Sequence, residues 1–180
     1  LNTDRIGIGT ALPSGALEVS SNSGGGTPVI YIANHVADTE GGHLAFRKTR
    51  GTTIGTAGTQ PTSGDHLGSI SWYGSDSNSW ERAAAITAAA DGTWADNDIP
   101  SRITFHTVDD ETAVLDERMR INNAGNVGIG ASAPGDLLHI EGSNAQLRIV
   151  GSNEGGTASI YMVSVQGDDD ADSMKIVNSQ

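Results

Sequence analysis

The feature that most constrains the fold of this chain is a phrase that occurs twice within 180 residues. "RIGIGTALP" begins at Arg5, and "NVGIGASAP" begins at Asn126. In both copies Gly-Ile-Gly is followed by three residues, a proline and a short alternating segment, Leu-Glu-Val or Leu-His-Ile. Such self-similarity is typical of a stalk or array built from one module. We therefore interpret the phrase as a joint between modules.

The glycines of the phrase have a physical interpretation. In a strand, the two glycines of each copy lie on one face and the neighbouring aliphatic residues on the other. Glycine weakens a strand, so its paired use predicts a face that another backbone approaches closely. Pro13 and Pro134 would then end the ladder, since proline donates no hydrogen bond. We predict a narrow neck around an axis shared by three chains, formed by Gly7, Gly9, Gly128 and Gly130.

The rest of the chain is rich in short alternating segments. Runs of four to eight residues with period-two alternation are separated by Gly, Ser, Asn and Asp, and none has a convincing helical stripe. The sequence therefore predicts an all-β fold of short antiparallel strands. The predicted strands are residues 16–20, 29–33, 43–48, 67–73, 102–106, 117–121, 137–141, 146–150, 159–165 and 174–177.

One segment allows two interpretations. Residues 79–92 read "SWERAAAITAAADG", and alanine is the best helix former. However, Ala84, Ile86 and Ala88 also alternate, and Asp-Gly is a strong turn signal. We interpret residues 83–90 as a strand because the neighbouring segments are strands, with a helix as the alternative.

Composition decides how such strands could be buried. Hydrophobic residues make up 36% of the chain and aromatic residues only 4%, with alanine prominent among the apolar ones. Alanine buries little area, so a single chain would have a thin core and marginal stability. We therefore expect the apolar strand faces to be buried between copies, in an elongated homotrimer of modules along a threefold axis.

Charge and residue usage exclude several classes of function. The net charge of −12 disfavours binding to nucleic acid or to anionic lipid. The absence of cysteine rules out disulfides and thiol chemistry. No apolar run reaches the length of a transmembrane helix, so we expect no membrane insertion. The chain begins with Leu1, and we expect it to be part of a longer protein.

The repeat also predicts a division of the chain. Residues 1–22 form the first linker, with its Gly-Ile-Gly, proline and strand, and residues 23–121 form a β-rich module. Residues 122–143 form the second linker, and residues 144–180 begin a second β-rich module.

No constellation of catalytic or cofactor-binding residues emerges. The Gly-Ile-Gly copies lack the third glycine of a dinucleotide fingerprint and the Gly-Lys-Ser/Thr of a P-loop. The acidic pairs lie beside turn residues, and the five histidines lack metal-ligand spacing. We predict no enzyme activity, no cofactor and no metal centre. The acidic run 168–172 could be a Ca²⁺ loop or a solvated loop.

Two arginines are candidates for contacts between subunits. Arg118 and Arg120 fall on one face of their predicted strand, with Glu117, Met119 and Ile121 on the other. In a trimer these arginines could form salt bridges with a neighbouring subunit and fix its register. A plain exposed face is the alternative.

The aromatic residues are concentrated in one part of the chain. Trp72, Tyr73, Trp80 and Trp94 lie within 23 residues of an aromatic-poor sequence. We interpret them first as the large core residues of a small module. Contact with glycan is the alternative, since flat aromatic rings form platforms for sugars.

Four segments in order resemble the repeated module and linker of bacteriophage tail fibre and tailspike proteins. Residues 117–142, "ERMRINNAGNVGIGASAPGDLLHIEG", resemble the linker. "GDHLGSISWYGSD" from residue 64, "AAAITAAADGT" from residue 83 and "IPSRITFHT" from residue 99 resemble the module. The self-cleaving chaperone domain that often ends such proteins has no counterpart among these residues.

The resemblance implies a structural segment of a trimeric virion fibre that serves attachment to a host surface. Its implied partners are further copies of itself, other tail proteins and a host surface glycan or protein. Its implied location is extracellular, on the virion. The alternatives are a bacterial trimeric surface adhesin, a polysaccharide-degrading tailspike module and a monomeric carbohydrate-binding module.

Overall fold

The computed structural model describes residues 5–21, 28–33, 35, 41–52 and 58–149. These residues contain strands and no helix, which confirms the all-β prediction. No helix that could span a membrane is found in the described part of the chain. The chain divides into two compact units between Lys48 and Thr49. The predicted strands 159–165 and 174–177 and the acidic run 168–172 lie outside the described residues, and the four predicted domain ranges stay predictions.

The first unit contains one pair of strands. β1 (Ile6–Ile8) and β2 (Leu17–Val19) are parallel, with Ile6 opposite Leu17 and Ile8 opposite Val19. Loop hydrogen bonds extend the pair at both ends. The Ile6 amide donates to the Ala16 carbonyl oxygen (2.7 Å), and the Ser20 amide donates to that of Ile8 (2.9 Å).

The second unit is built on a six-stranded sheet in which neighbours in sequence are neighbours in the sheet. The first five strands pair with their neighbours in antiparallel orientation, and the last pair is parallel. The strands are β3 (His66–Ser75), β4 (Trp80–Ala90), β5 (Ser101–Val108), β6 (Leu115–Ile121), β7 (Val127–Ile129) and β8 (Leu138–Ile140).

The alanine-rich segment is a strand, as the alternation indicated. β4 pairs along most of its length with β3 on one side and with β5 on the other. Its position between two partners supplies ladder hydrogen bonds to both edges. These bonds and the packing of alternate side chains outweigh the helix propensity of alanine, which favours a helix by less than about 1 kcal/mol per residue.

The two copies of the repeated phrase have the same local structure. β7 and β8 pair in the register of β1 and β2, with Val127 opposite Leu138 and Ile129 opposite Ile140. The prediction of antiparallel strands is wrong for these two pairs. A strand of three residues is only about 10 Å long, so an eight-residue loop is enough to carry the chain back to the start of a parallel neighbour.

The structure corrects the position of two glycines. Gly9 and Gly130 follow their strands and have φ values of +81° and +72°, in the left-handed region. A Cβ at Gly9 would collide with the Ser20 carbonyl oxygen, and one at Gly130 with the Glu141 carbonyl oxygen. A backbone therefore does approach these glycines closely, but it belongs to the same chain. Their predicted role in a neck between subunits stays a prediction.

Three predicted strands are absent. Residues 29–33, 43–48 and the described part of 146–150 have no regular secondary structure. Their alternating side chains are largely exposed, with Ile30 at 68% and Leu44 at 63%. Alternation identifies a chain that can pair as a strand, but a ladder also needs a partner edge, and the described residues provide none for these segments.

The core of the described chain is thin, as the composition predicted. Its buried hydrophobic residues are all alanines, namely Ala85, Ala89, Ala90 and Ala131. No large side chain there is fully buried. A sheet normally buries one apolar face against a second layer. In the second unit, by contrast, large apolar side chains remain in contact with solvent.

Candidate functional site

The six-stranded sheet has one apolar face. Direct cross-strand partners form a continuous row that crosses all six strands, and a second row of partners lies beside it. We call this surface the apolar face. Its first row is Ile70, Ile86, Phe105, Met119, Ile129 and Ile140, and its second row includes Ala88, Ile103, Ile121, Val127 and Leu138.

Many of these side chains are half exposed. Ile70 is 48% exposed, Ile103 44% and Leu138 54%. These positions span the sheet from β3 to β8, so the exposed apolar area is a band across the whole sheet. Contiguous apolar patches of this kind mark interaction surfaces far more often than scattered exposed residues do.

Two β-bulges decide which charged side chains reach the opposite, polar face. Tyr73 pairs with Arg82 although Trp72 pairs with Ala84, so Ala83 is an extra residue in β4. In β6, Met119 pairs with Phe105 and Glu117 pairs with His106, so Arg118 is an extra residue. A bulge redirects the side chains on one side of it. Arg82 and Glu117 are consequently placed on the polar face.

The second bulge corrects the predicted alternation in β6. Glu117 was expected on the face of Met119, but it lies with Arg120 and accepts two hydrogen bonds from its guanidinium, at 2.6 and 2.7 Å. This bidentate pair raises the pKa of Arg120. Arg118 does not share the face of Arg120, and it contacts Asp109 at 2.6 Å. Both arginines thus have carboxylate partners in their own chain, and salt bridges to a neighbouring subunit stay a prediction.

The polar face contains a cleft of about 210 Å³, which we call the basic cleft. Its floor consists of small side chains, including Thr87 and Thr104, which are each 4% exposed. Longer polar side chains stand around this floor, so the depression follows from the difference in side-chain length. The residues that line it are His66, Arg82, Ala85, Thr87, Ala89, Arg102, Thr104, His106, Leu115 and Glu117.

Most charges of the basic cleft are compensated. Arg102 contacts Asp91 at 2.8 Å and also donates to the Ala90 carbonyl oxygen. Glu117, the one carboxylate in the lining, is paired with Arg120. Arg82 differs, because its Nε and one Nη nitrogen are shielded from solvent without a hydrogen-bond partner. The uncompensated charge of the cleft is therefore positive.

His106 lies in the same positively charged environment. Burial lowers the pKa of His106, Glu117 opposes this effect, and the positive charges of Arg82, His66 and Arg120 lower that pKa further. Its Nε2 lies 2.8 Å from the Thr104 hydroxyl. The imidazole is thus held in place and favoured in its neutral form.

The four aromatic candidates are not brought together. Trp72 lies on the apolar face opposite Ala84, and it is 51% exposed. Tyr73 and Trp80 lie on the polar face, one opposite Arg82 and the other two residues before it. Trp94 follows β4 and donates its indole N–H to the Pro100 carbonyl oxygen at 2.9 Å. The exposure of Trp72 and Trp80 does not fit the core-filling interpretation within one chain.

Sequence reasoning missed the basic cleft. His66 and His106 are 40 positions apart in the sequence, and Arg82 and Arg102 are 20 apart, but all four line the same depression. The sequence signal was present only as polar residues on one side of several strands, and the bulge that places Arg82 has no sequence signature. No group of three or more metal-ligating side chains with suitable geometry occurs among the described residues.

Comparison with known proteins gives a match at the level of the fold. Neither a protein-family profile nor a curated protein sequence matches the chain. A solved structure of the carboxy-terminal domain of the bacteriophage T5 L-shaped tail fibre matches with a TM-score of 0.56 at 9% identity, over 76% of this chain and 60% of that one. The fold is similar to that of a bacteriophage tail fibre domain.

A second structure of this T5 domain, with its intramolecular chaperone domain, matches with a TM-score of 0.54 at 12% identity. The match covers 74% of this chain and 41% of that one, so in both comparisons this chain corresponds to less than two thirds of the T5 chain. At identities this low, the two matches show a shared fold alone.

Proposed function

We propose that this chain is a structural, non-catalytic segment of a homotrimeric bacteriophage tail fibre, displayed on the virion and serving attachment to a host surface. The observation that carries the proposal is the half-exposed apolar face, together with a core of alanines alone in the described chain. The tail fibre fold supports the same conclusion.

The apolar face fits a subunit interface better than it fits a ligand site. It is a broad band across six strands, and burying one exposed isoleucine completely is worth about 1.5–3 kcal/mol. A closed ring of three copies would bury the same band three times and leave no unpaired apolar surface. Several weak surface contacts presented by one rigid fibre then add up through avidity.

The test of assembly is the mass in solution, measured by light scattering on the purified chain. We expect a mass near three times 18.5 kDa. A stable monomer of 18.5 kDa would contradict the proposed interface.

Attachment requires a separate test. The labelled chain is applied to an array of bacterial surface polysaccharides, and the same polysaccharides are assayed for release of reducing sugar. We expect binding without cleavage. Cleavage would instead identify a polysaccharide-degrading tailspike module, and assembly without any binding would limit the role to that of a spacer.

A further inference from the structure

We propose that the basic cleft binds the carboxylate of an acidic sugar, with Arg82 as the anchoring residue. This deepens the proposed attachment function by naming the ligand class, and it rests on that function for the origin of the ligand. The anion site itself does not depend on trimer formation.

The state of Arg82 is the first argument. Two of its guanidinium nitrogens have less than 1 Å² of exposed surface and no hydrogen-bond partner in the described chain. Shielded charged donors without a partner are costly, and a native protein normally satisfies them with a ligand, an ion or water. Because both nitrogens are shielded in the single chain, a ligand reaches them only if the Arg82 side chain turns toward the cleft that it lines. In that position the planar fork of arginine matches a carboxylate in two parallel hydrogen bonds.

The electrostatic surroundings are the second argument. The chain carries 22 acidic residues and only 10 lysines and arginines, yet the cleft lining has two arginines and one carboxylate. The carboxylate of Glu117 is already paired with Arg120, and Arg102 is paired with Asp91. The remaining charge of Arg82 would therefore attract an anion from solution, which the surrounding acidic surface would otherwise repel.

The neighbours of Arg82 indicate a sugar as the carrier of the anion. Tyr73 lies directly opposite Arg82, and Trp80 precedes Arg82 by two residues on the same face. Their side chains are 57% and 74% exposed. Flat exposed rings offer an apolar surface to the C–H face of a sugar. A cleft of about 210 Å³ lies below the usual range of about 300–1,000 Å³ for drug-sized ligands, so it suits one charged group with the ring attached to it.

The experiment is a calorimetric or NMR titration of the full chain at constant ionic strength with glucuronate, glucose and sulfate. We expect saturable binding of glucuronate and none of glucose. Arg82→Gln should weaken glucuronate binding about tenfold or more, since a hydrogen-bonded charge contact is lost. Arg82→Lys, which keeps the charge but not the fork, should be intermediate.

Arg118→Gln is the matched control, because Arg118 also lies on a strand but is paired with Asp109 outside the cleft. It should bind glucuronate as the wild type does. Trp80→Ala should weaken the binding of glucuronate but not that of sulfate, which separates recognition of the sugar ring from recognition of a bare anion.

Each other outcome overturns a defined part of the proposal. Equal binding by Arg82→Gln and wild type, or binding of glucose as tight as that of glucuronate, would overturn the site. Binding of sulfate as tight as that of glucuronate, with no effect of Trp80→Ala, would overturn the assignment to a sugar.

Light scattering on each variant keeps the two proposals apart. A trimer that binds no anion would overturn the proposed anion site but not the proposed trimer. A monomer that binds glucuronate would overturn the proposed trimer but not the anion site. Loss of the trimer in Arg82→Gln would show that Arg82 contacts a neighbouring subunit, and that result would also overturn the ligand site.

Discussion

Gly125 and Gly130 both have left-handed backbones, with φ values of +83° and +72°, but their surroundings differ. A Cβ at Gly125 would meet no atom within 4 Å, whereas one at Gly130 would collide with the carbonyl oxygen of Glu141. Gly125→Ala should therefore cost only the conformational penalty, about 1–2 kcal/mol. Gly130→Ala should cost more, because the collision adds to that penalty. Urea unfolding of both variants measures the difference.

Gly135→Ala is the control for these substitutions. Gly135 has no positive φ, and its Cβ would meet nothing within 4 Å. The free energy of unfolding of Gly135→Ala should match that of the wild type. Equal losses for Gly125→Ala and Gly130→Ala would contradict the proposed role of the Glu141 carbonyl.

His106 gives a prediction about pH. Burial is the main cause of its lowered pKa, Glu117 opposes it, and the positive charges of Arg82, His66 and Arg120 add to it. Well above about pH 6.5, the imidazole is uncharged in both the folded and the unfolded chain. As the pH falls through about 6.5, the usual histidine pKa, the unfolded chain binds the proton first, so the unfolding free energy falls until the lowered pKa is passed.

The measurement is the unfolding free energy of the wild type and of His106→Gln across about pH 5 to 8. The difference between the two proteins isolates this residue from the other histidines. We expect the wild type to lose stability relative to the variant as the pH falls. A difference that is constant with pH would contradict the environment described for His106.

At the scale of elements, the turn between β6 and β7 depends on Asn122. Its side-chain oxygen accepts hydrogen bonds from the amides of Ala124 (3.0 Å) and Asn126 (2.9 Å). Asn122→Ala removes both acceptor contacts and should destabilise the second unit by about 1–2 kcal/mol. Asn122→Asp keeps the acceptor oxygen and should lose much less. Thermal unfolding compares them, and equal losses would show that the side-chain oxygen is not the cause.

At the scale of the whole molecule, adjacent residues of β3 test the proposed interface. Ile70 lies on the apolar face and Ser69 on the polar face, and both are exposed in the single chain. Ile70→Asp should shift the mass from near three times 18.5 kDa toward 18.5 kDa, because a charge would be buried without a partner. Ser69→Asp adds the same charge one residue away and should remain trimeric. If both variants remain trimeric, the interface lies elsewhere.

The sequence by itself determined the all-β class and the two places that share one local structure. Alternation in residues 83–90 identified β4 in spite of its alanines, because side-chain period is a local property of the backbone. The Gly-Ile-Gly phrase marked two places with one local structure, because a left-handed residue and a close carbonyl oxygen leave little choice besides glycine. The low content of aromatic residues and the high content of alanine also correctly predicted a thin core.

Only the tertiary structure decided which side chains lie on each face of the sheet, that the short strand pairs are parallel, and where the cleft forms. The bulges at Ala83 and Arg118 move Arg82 and Glu117 to the polar face, and a bulge depends on the register between two strands that are separate in the sequence. Segments such as 29–33 alternate but form no strand, because pairing also needs a partner edge. The position of His66 in the same cleft as His106 likewise depends on a register shift, since His66 pairs with Ala89 although Gly68 pairs with Ala88, and local sequence carries no record of that shift.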